Sequence, residues 1–159
     1  MIVRPCPIVG AGHLVRGALA LLEQPQVPLP DGGTRPLSLV AAEDAAAALA
    51  RAGLDDEHRV GAFNVAFAEP IALRGLLETI ARAAGMRGGP RFDELPIAAA
   101  LERNEAAARR GEAPPIPPAL IALAHEHTYS SERARRELRF EQRAPLRESL
   151  AQAVAACGR

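Results

Sequence analysis

Residues 2–25 read IVRPCPIVGAGHLVRGALALLEQP, and their order decides the fold class. Ile2 to Val9 form an apolar extended run, and Gly10 and Gly12 break it. Leu14, Val15, Ala18, Leu19 and Leu22 then recur at helical spacing until Pro25 stops the helix. A strand, a glycine turn and an amphipathic helix in succession are the opening of an α/β unit, where helices pack on a sheet. Pro5 and Pro7 have no N–H to give to a ladder, which places this strand at a sheet edge or strand end.

The elements that follow continue the alternation. Residues 27–35 are rich in turn formers, and Asp31-Gly32 predicts a hairpin whose returning strand is Leu37 to Val40. Glu43 and Asp44 open an Ala-rich helix to about Ala52, ended by Gly53, and two carboxylates there favour the positive end of the helix dipole. Val60 to Ala66 reads as a strand. Leu73, Leu76, Leu77, Ile80 and Ala84 mark a strongly periodic helix closed by Gly85 at a C′ position.

After Gly88-Gly89-Pro90 come a short extended piece, Arg91 to Leu95, and a charged amphipathic helix, Ile97 to Arg110. The proline-rich stretch 111–118 reads as an extended connector. Leu120 to His127, Ser131 to Leu138 and Leu146 to Ala156 are three further helical segments, with Ser130 or Ser131 as N-cap of the middle one. No internal repeat is visible. The first part, 1–88, therefore predicts a parallel or mixed sheet with helices against it, and 89–159 a mostly helical cap, the two forming one compact unit.

A chain of 159 residues with 48% hydrophobic and 24% charged content is long enough for a core and is neither disordered nor collagen-like. Its formal charge of zero gives no basic excess for nucleic acid or an anionic membrane, and no apolar run approaches a membrane span or a signal peptide. A cytoplasmic location is expected. All 19 cations are Arg. Without Lys the chain cannot by itself build a P-loop, a Schiff base or a Tyr-Lys proton relay. Tyr129 and four Phe, with no Trp, make no stacking platform for single-stranded bases.

The chemistry-bearing residues are few. Gly10-Ala-Gly12 resembles the start of a dinucleotide-binding turn, yet Val15 stands where the third glycine belongs, so an ordinary glycine turn explains it as well. His125 and His127, two apart on a helix, diverge by about 200° and cannot share one metal ion unaided, so no metal site is expected. Cys6 near His13 has the residue types of a nucleophile and base, but Cys6 packs more naturally as a small hydrophobe, and with Cys157 at the far end no disulfide is expected. Arg35 has the geometry to pair with a carboxylate or phosphate, its simpler reading being a solvated loop charge. In 131–138, Glu132 with Arg136 and Arg133 with Glu137 are spaced to stabilise a surface helix.

Taken in order, five pieces resemble the C-terminal half of the extended short-chain dehydrogenase/reductases, the NAD-dependent epimerase/dehydratase family. Arg4 to Gly12 is similar to the strand and loop RPxxxYGPG, with Val9 for Tyr and Ala11 for Pro. Pro28 to Asp44 is similar to a hairpin followed by LVHVDDAA, with Ala41 and Ala42 for His and Val. Phe63-Asn-Val and the helix after it resemble the family's FNV strand and next helix. Tyr129 to Phe140 resembles SRARRELGF with Arg139 for Gly, and Leu146 to Val154 the closing LREGLAETV helix.

The resemblance implies an α/β fold: a partial Rossmann-like sheet of late strands with a mostly helical, substrate-binding C-terminal cap. It implies NAD or NADP as cofactor, with Pro5, Cys6 and Pro7 bordering the nicotinamide, and with Gly10, Gly12, His13, Arg35 and the proline-rich connector bordering a small-molecule substrate such as a nucleotide-sugar. The family's G-x-x-G-x-x-G turn and catalytic Tyr-x-x-x-Lys have no counterpart in this sequence, so no catalytic residue is assigned. The chain alone is expected to be inactive and not to hold the cofactor, working with an N-terminal half or as a homo-oligomer. The alternative expectation is a non-catalytic binding or interaction module derived from that family.

Overall fold

The computed structural model describes residues 1–54 and 59–158. Its strands pair two by two. β1 (Ile2–Pro5) runs parallel to β6 (Ala62–Val65), and β2 (Ile8–Val9) parallel to β5 (Val40–Ala41). β3 (Val27–Pro30) runs parallel to β8 (Phe92–Leu95), while β4 (Pro36–Leu37) is antiparallel to β7 (Ile71–Ala72). The helices are α1 (His13–Leu22), α2 (Ala42–Gly53), α3 (Leu73–Ala83), α4 (Ile97–Arg109), α5 (Pro118–Leu123), α6 (Glu132–Leu138) and α7 (Leu146–Cys157). The fold is α/β, with short parallel pairs under helices in the first part and helices dominating after residue 96.

Three local expectations are corrected. The run Ile2 to Val9 is not one strand: Cys6 and Pro7 separate β1 from β2, and the two halves pair with different partners. The Asp31-Gly32 hairpin does not form either. The Val27 N–H bonds to the Arg91 carbonyl at 2.8 Å, so Val27 and Leu29 face β8 and the other edge of β3 falls to Pro28 and Pro30, which have no donor for a returning strand. The chain instead turns tightly through Asp31–Gly33. Gly33, at φ +59, sits where a Cβ would come within 2.7 Å of Leu29 Cδ1. The third correction concerns His127, which lies past the end of α5 and bridges to Leu37.

Two apolar clusters hold the molecule together. In the larger, α1, α3 and α7 pack on one another, with Val15, Leu76, Leu77, Ile80 and Leu150 buried between them and β3. The periodicity of α3 explains its place there, since Leu73, Leu76, Leu77, Ile80 and Ala81 all fall on its buried side. Gly85 closes α3 as expected: its N–H bonds to the Arg82 carbonyl at 3.1 Å and the Met86 N–H to the Ala81 carbonyl at 3.0 Å. The smaller cluster gathers Phe63 and Val65 of β6, Ala45 and Ala48 of α2, and Ala134, Leu138 and Phe140 at α6.

The β1–β6 pair is covered on one face only. Val3, Phe63 and Val65 meet α2 and α6, whereas the paired residues Ile2, Arg4, Ala62 and Asn64 share the other face, where Ile2 is 56% exposed. Purely parallel sheets are ordinarily covered on both faces. Among the described residues the outer edge of β1 is also unpaired: Ile2 and Cys6 direct their N–H groups to the Gly61 and Val65 carbonyls and leave Val3 and Pro5 facing away.

Candidate functional site

Where β1 and β6 end, Pro5 and Pro7 carry the chain out of one ladder and into the next. The Cys6 N–H still reaches the Val65 carbonyl at 3.1 Å, and the Pro7 carbonyl accepts from the Val40 N–H at 3.1 Å. This crossing leaves a cavity of about 200 Å³ lined by Arg4, Pro5, Cys6, Pro7, Asn64 and Tyr129. It lies at the carboxyl ends of a parallel pair, where ligands of open α/β sheets bind.

Each lining group has a local cause. Asn64 is the polar residue of an alternating strand whose neighbours Phe63 and Val65 are fully buried. Tyr129 is held by a stitched segment. The Ser38 N–H bonds to the His127 carbonyl at 2.7 Å, the His127 N–H to the Pro36 carbonyl at 3.1 Å, and the Tyr129 N–H to Ser38 Oγ at 3.0 Å. Ser131 Oγ then donates to the Ala66 carbonyl at 3.2 Å, fixing the start of α6 to the end of β6. Cys6 is buried, and that burial pushes its thiol pKa above the ordinary value, so the sulfur stays protonated and apolar in character.

The remaining residues singled out from the sequence are spread beyond this cavity. Gly10 makes a close approach to α2, where a Cβ would stand 3.2 Å from Ala42 Cβ, and Gly12 is the N-cap residue of α1. His13 begins α1 and lines a second, apolar groove between α1, α3 and α5. Arg35 is exposed after the Asp31–Gly33 turn and lines neither cavity. Arg4, Asn64 and Tyr129 were not singled out as site residues. The alternation of β6 carried the signal for Asn64, but that for Tyr129 lay only in a loop whose tether to Ser38 spans 91 residues.

Two polar groups add detail to their sequence reading. Asp44 lies in the first turn of α2 as expected, and there it is buried: it is 1% exposed, and its Oδ1 accepts the Arg143 N–H at 3.2 Å. Burial raises its pKa, opposed in smaller measure by that hydrogen bond and by the Arg143 guanidinium. Ser131 occupies the N-cap position of α6 without capping it; Ser130 Oγ accepts the Glu132 N–H at 3.2 Å. Arg133 pairs with Glu137 at 3.1 Å as the spacing predicts. Among the described residues, no three His, Cys, Asp or Glu side chains are grouped to hold a metal, and no helix is long and apolar enough to cross a membrane.

No family model and no curated protein sequence matches the chain. Solved structures do match its fold. UDP-N-acetylglucosamine 4-epimerase from Bacillus cereus aligns over 98% of this chain and 45% of its own, at 14% identity and a TM-score of 0.66. UDP-glucuronic acid 4-epimerase from the same organism, solved with UDP-glucuronic acid and NAD, aligns over 99% and 45%, at 12% identity and 0.66. An epimerase from Methanothermobacter thermautotrophicus aligns over 96% and 41%, at 16% identity and 0.68. The chain spans less than half the length of these structures, and it shares the fold of the part of each that it covers.

Proposed function

We propose that this chain is the substrate-binding half of an NAD(P)-dependent epimerase, dehydratase or reductase. The observation that carries this reading is the cavity bounded by Pro5, Cys6 and Pro7 at the carboxyl ends of β1 and β6, in a fold shared with an epimerase solved with NAD. Pro5, Cys6 and Pro7 would border a nicotinamide in that cavity, where the prolines and the protonated thiol supply apolar surface and Arg4, Asn64 and Tyr129 polar groups. The pyrophosphate has no matching cradle here, since Val15 replaces the third glycine of the turn. Gly10, Gly12, His13 and Arg35 border the substrate, for which a nucleotide-sugar is one class, and the protein works in the cytoplasm.

The chain has no Lys, so the proton relay and the glycine turn come from another segment or chain, and the isolated polypeptide is inactive. Mixing it with a candidate nucleotide-binding half that carries Tyr-x-x-x-Lys, and following NADH fluorescence, tests this. The expected result is no binding by either piece alone at micromolar cofactor and binding by the mixture. Turnover of NAD(P)H by the chain alone would overturn the division of labour.

A second reading, a non-catalytic interaction module, is favoured by one feature: the unpaired β1 edge beside the bare face of Ile2 and Arg4. On this reading the chain dimerises or captures a partner strand whether or not cofactor is present. A monomer that binds no hydrophobic dye would count against it.

A further inference from the structure

Arg4 and Asn64 are register partners across β1 and β6, so their side chains stand side by side on the same face, on strands about 4.8 Å apart. Both line the cavity of about 200 Å³ at the carboxyl ends of those strands, and Tyr129 lines it from the loop before α6. Among the described residues, the guanidinium of Arg4, the amide of Asn64 and the hydroxyl of Tyr129 make no hydrogen bond or ion pair within the chain. Tyr129 is the most telling of the three. Its backbone is held on both sides, through Ser38 and Ser131, yet its ring is 49% exposed and belongs to neither apolar cluster. The segment is fixed without the ring contributing to the packing.

The balance of groups decides the ligand. Arg4 brings a permanent positive charge and a planar fork of donors, Asn64 an amide NH₂ and Tyr129 an O–H, while no Asp or Glu lines the cavity. Donors in excess around one uncompensated cation suit an oxyanion, and the planar fork suits a carboxylate in particular. The cavity beside Gly88 and Gly89 lacks this character: it too has an arginine, Arg82, but Glu78 lines it as well.

We infer that the substrate of this site carries a carboxylate close to its reacting carbon, and that Arg4, with Asn64 and Tyr129 beside it, is the specificity-determining group that takes it. The inference rests on the proposed function, in which Pro5, Cys6 and Pro7 border the nicotinamide. Hydride transfer holds the reacting carbon against that ring, so a substituent near the carbon falls within reach of the polar groups of the same cavity.

The test compares D-glucuronate with D-glucose, the same ring without the carboxylate, by saturation-transfer NMR on the full chain with no cofactor present. Wild type is expected to bind glucuronate saturably and to prefer it to glucose by about tenfold or more. Arg4→Gln is expected to weaken glucuronate binding about tenfold, and Tyr129→Phe, which removes only the hydroxyl, about threefold. Arg51→Gln, on an exposed position of α2 outside the cavity, is expected to bind as wild type does. Absence of glucuronate binding, equal binding of glucose, or equal weakening by Arg51→Gln overturns the inference. So does displacement of glucuronate by an equal concentration of inorganic phosphate, since the cavity would then take any anion. If Arg4→Gln does not give a native circular dichroism spectrum, Tyr129→Phe decides the matter. The titration contains neither cofactor nor second half, so its failure leaves the NADH test of the mixture standing, and a mixture that binds no NADH leaves the glucuronate result standing.

Discussion

The two apolar clusters of this chain solve the same problem to different degrees. The larger one encloses α3 with helices α1 and α7 and with β3, and Leu77, Ile80 and Leu150 are buried from all sides. The smaller one has helices on one face of the β1–β6 pair and leaves Ile2 and Arg4 exposed on the other. A helical stripe completes its burial with a few neighbouring helices, here α1 and α7 from the two ends of the chain. A purely parallel sheet is ordinarily covered on both faces. The difference leaves β1, and not the helical cap, with uncovered surface among the described residues.

The comparison can be broken most sharply at Phe63. Phe63→Ala is expected to cost about 4 kcal/mol, because it empties the centre of the smaller cluster and removes the ring on which the Arg133 guanidinium stacks at 4.5 Å. Amide exchange should then quicken in β1, β6, α2 and α6 while α3 keeps its protection. Equal loss of protection in α3 would mean that the two clusters unfold as one unit.

A gain of about 1 kcal/mol is expected for Arg139→Gly, read by urea denaturation. Arg139 ends α6 in the left-handed region, φ 50 and ψ 39, while the Phe140 N–H bonds back to the Ala134 carbonyl at 3.1 Å. Glycine takes that conformation without the clash. On the exposed side of α1, Gly17→Ala is expected to stabilise by about 0.8 kcal/mol through helix propensity, since the added methyl meets open space. A loss instead would show that α1 is strained at that point.

The smallest effect is confined to a window of pH. Asp44 has its folded-state pKa raised above the ordinary 3.8 by burial, so the folded protein holds this proton more tightly than the unfolded chain does. The stability that the protonated carboxyl contributes is fully present below the ordinary value and is lost as pH rises through the folded pKa. Asp44→Asn keeps an oxygen for the Arg143 N–H and removes the titration. The variant and wild type should therefore be closest in stability near pH 3, with the variant gaining relative to wild type toward pH 7 in parallel denaturation curves.

The amino-acid sequence by itself determined the helices and the strand–turn–helix order, because helical periodicity and glycine or proline stops act within a few residues. Leu73 to Gly85 was legible for that reason, whereas the break at Cys6 and Pro7, which divides the expected strand Ile2 to Val9 in two, was not. Only the tertiary structure decided which strands pair. Val27 finds Phe92 in register and Leu37 finds Ile71, across separations that no local pattern encodes, and the expected hairpin gave way to a parallel pair with β8. The same holds for the candidate site. Cys6 meets Asn64 and Tyr129, and Asp44 meets Arg143, only after the chain has closed on itself, when burial and long-range hydrogen bonds set the character of each group.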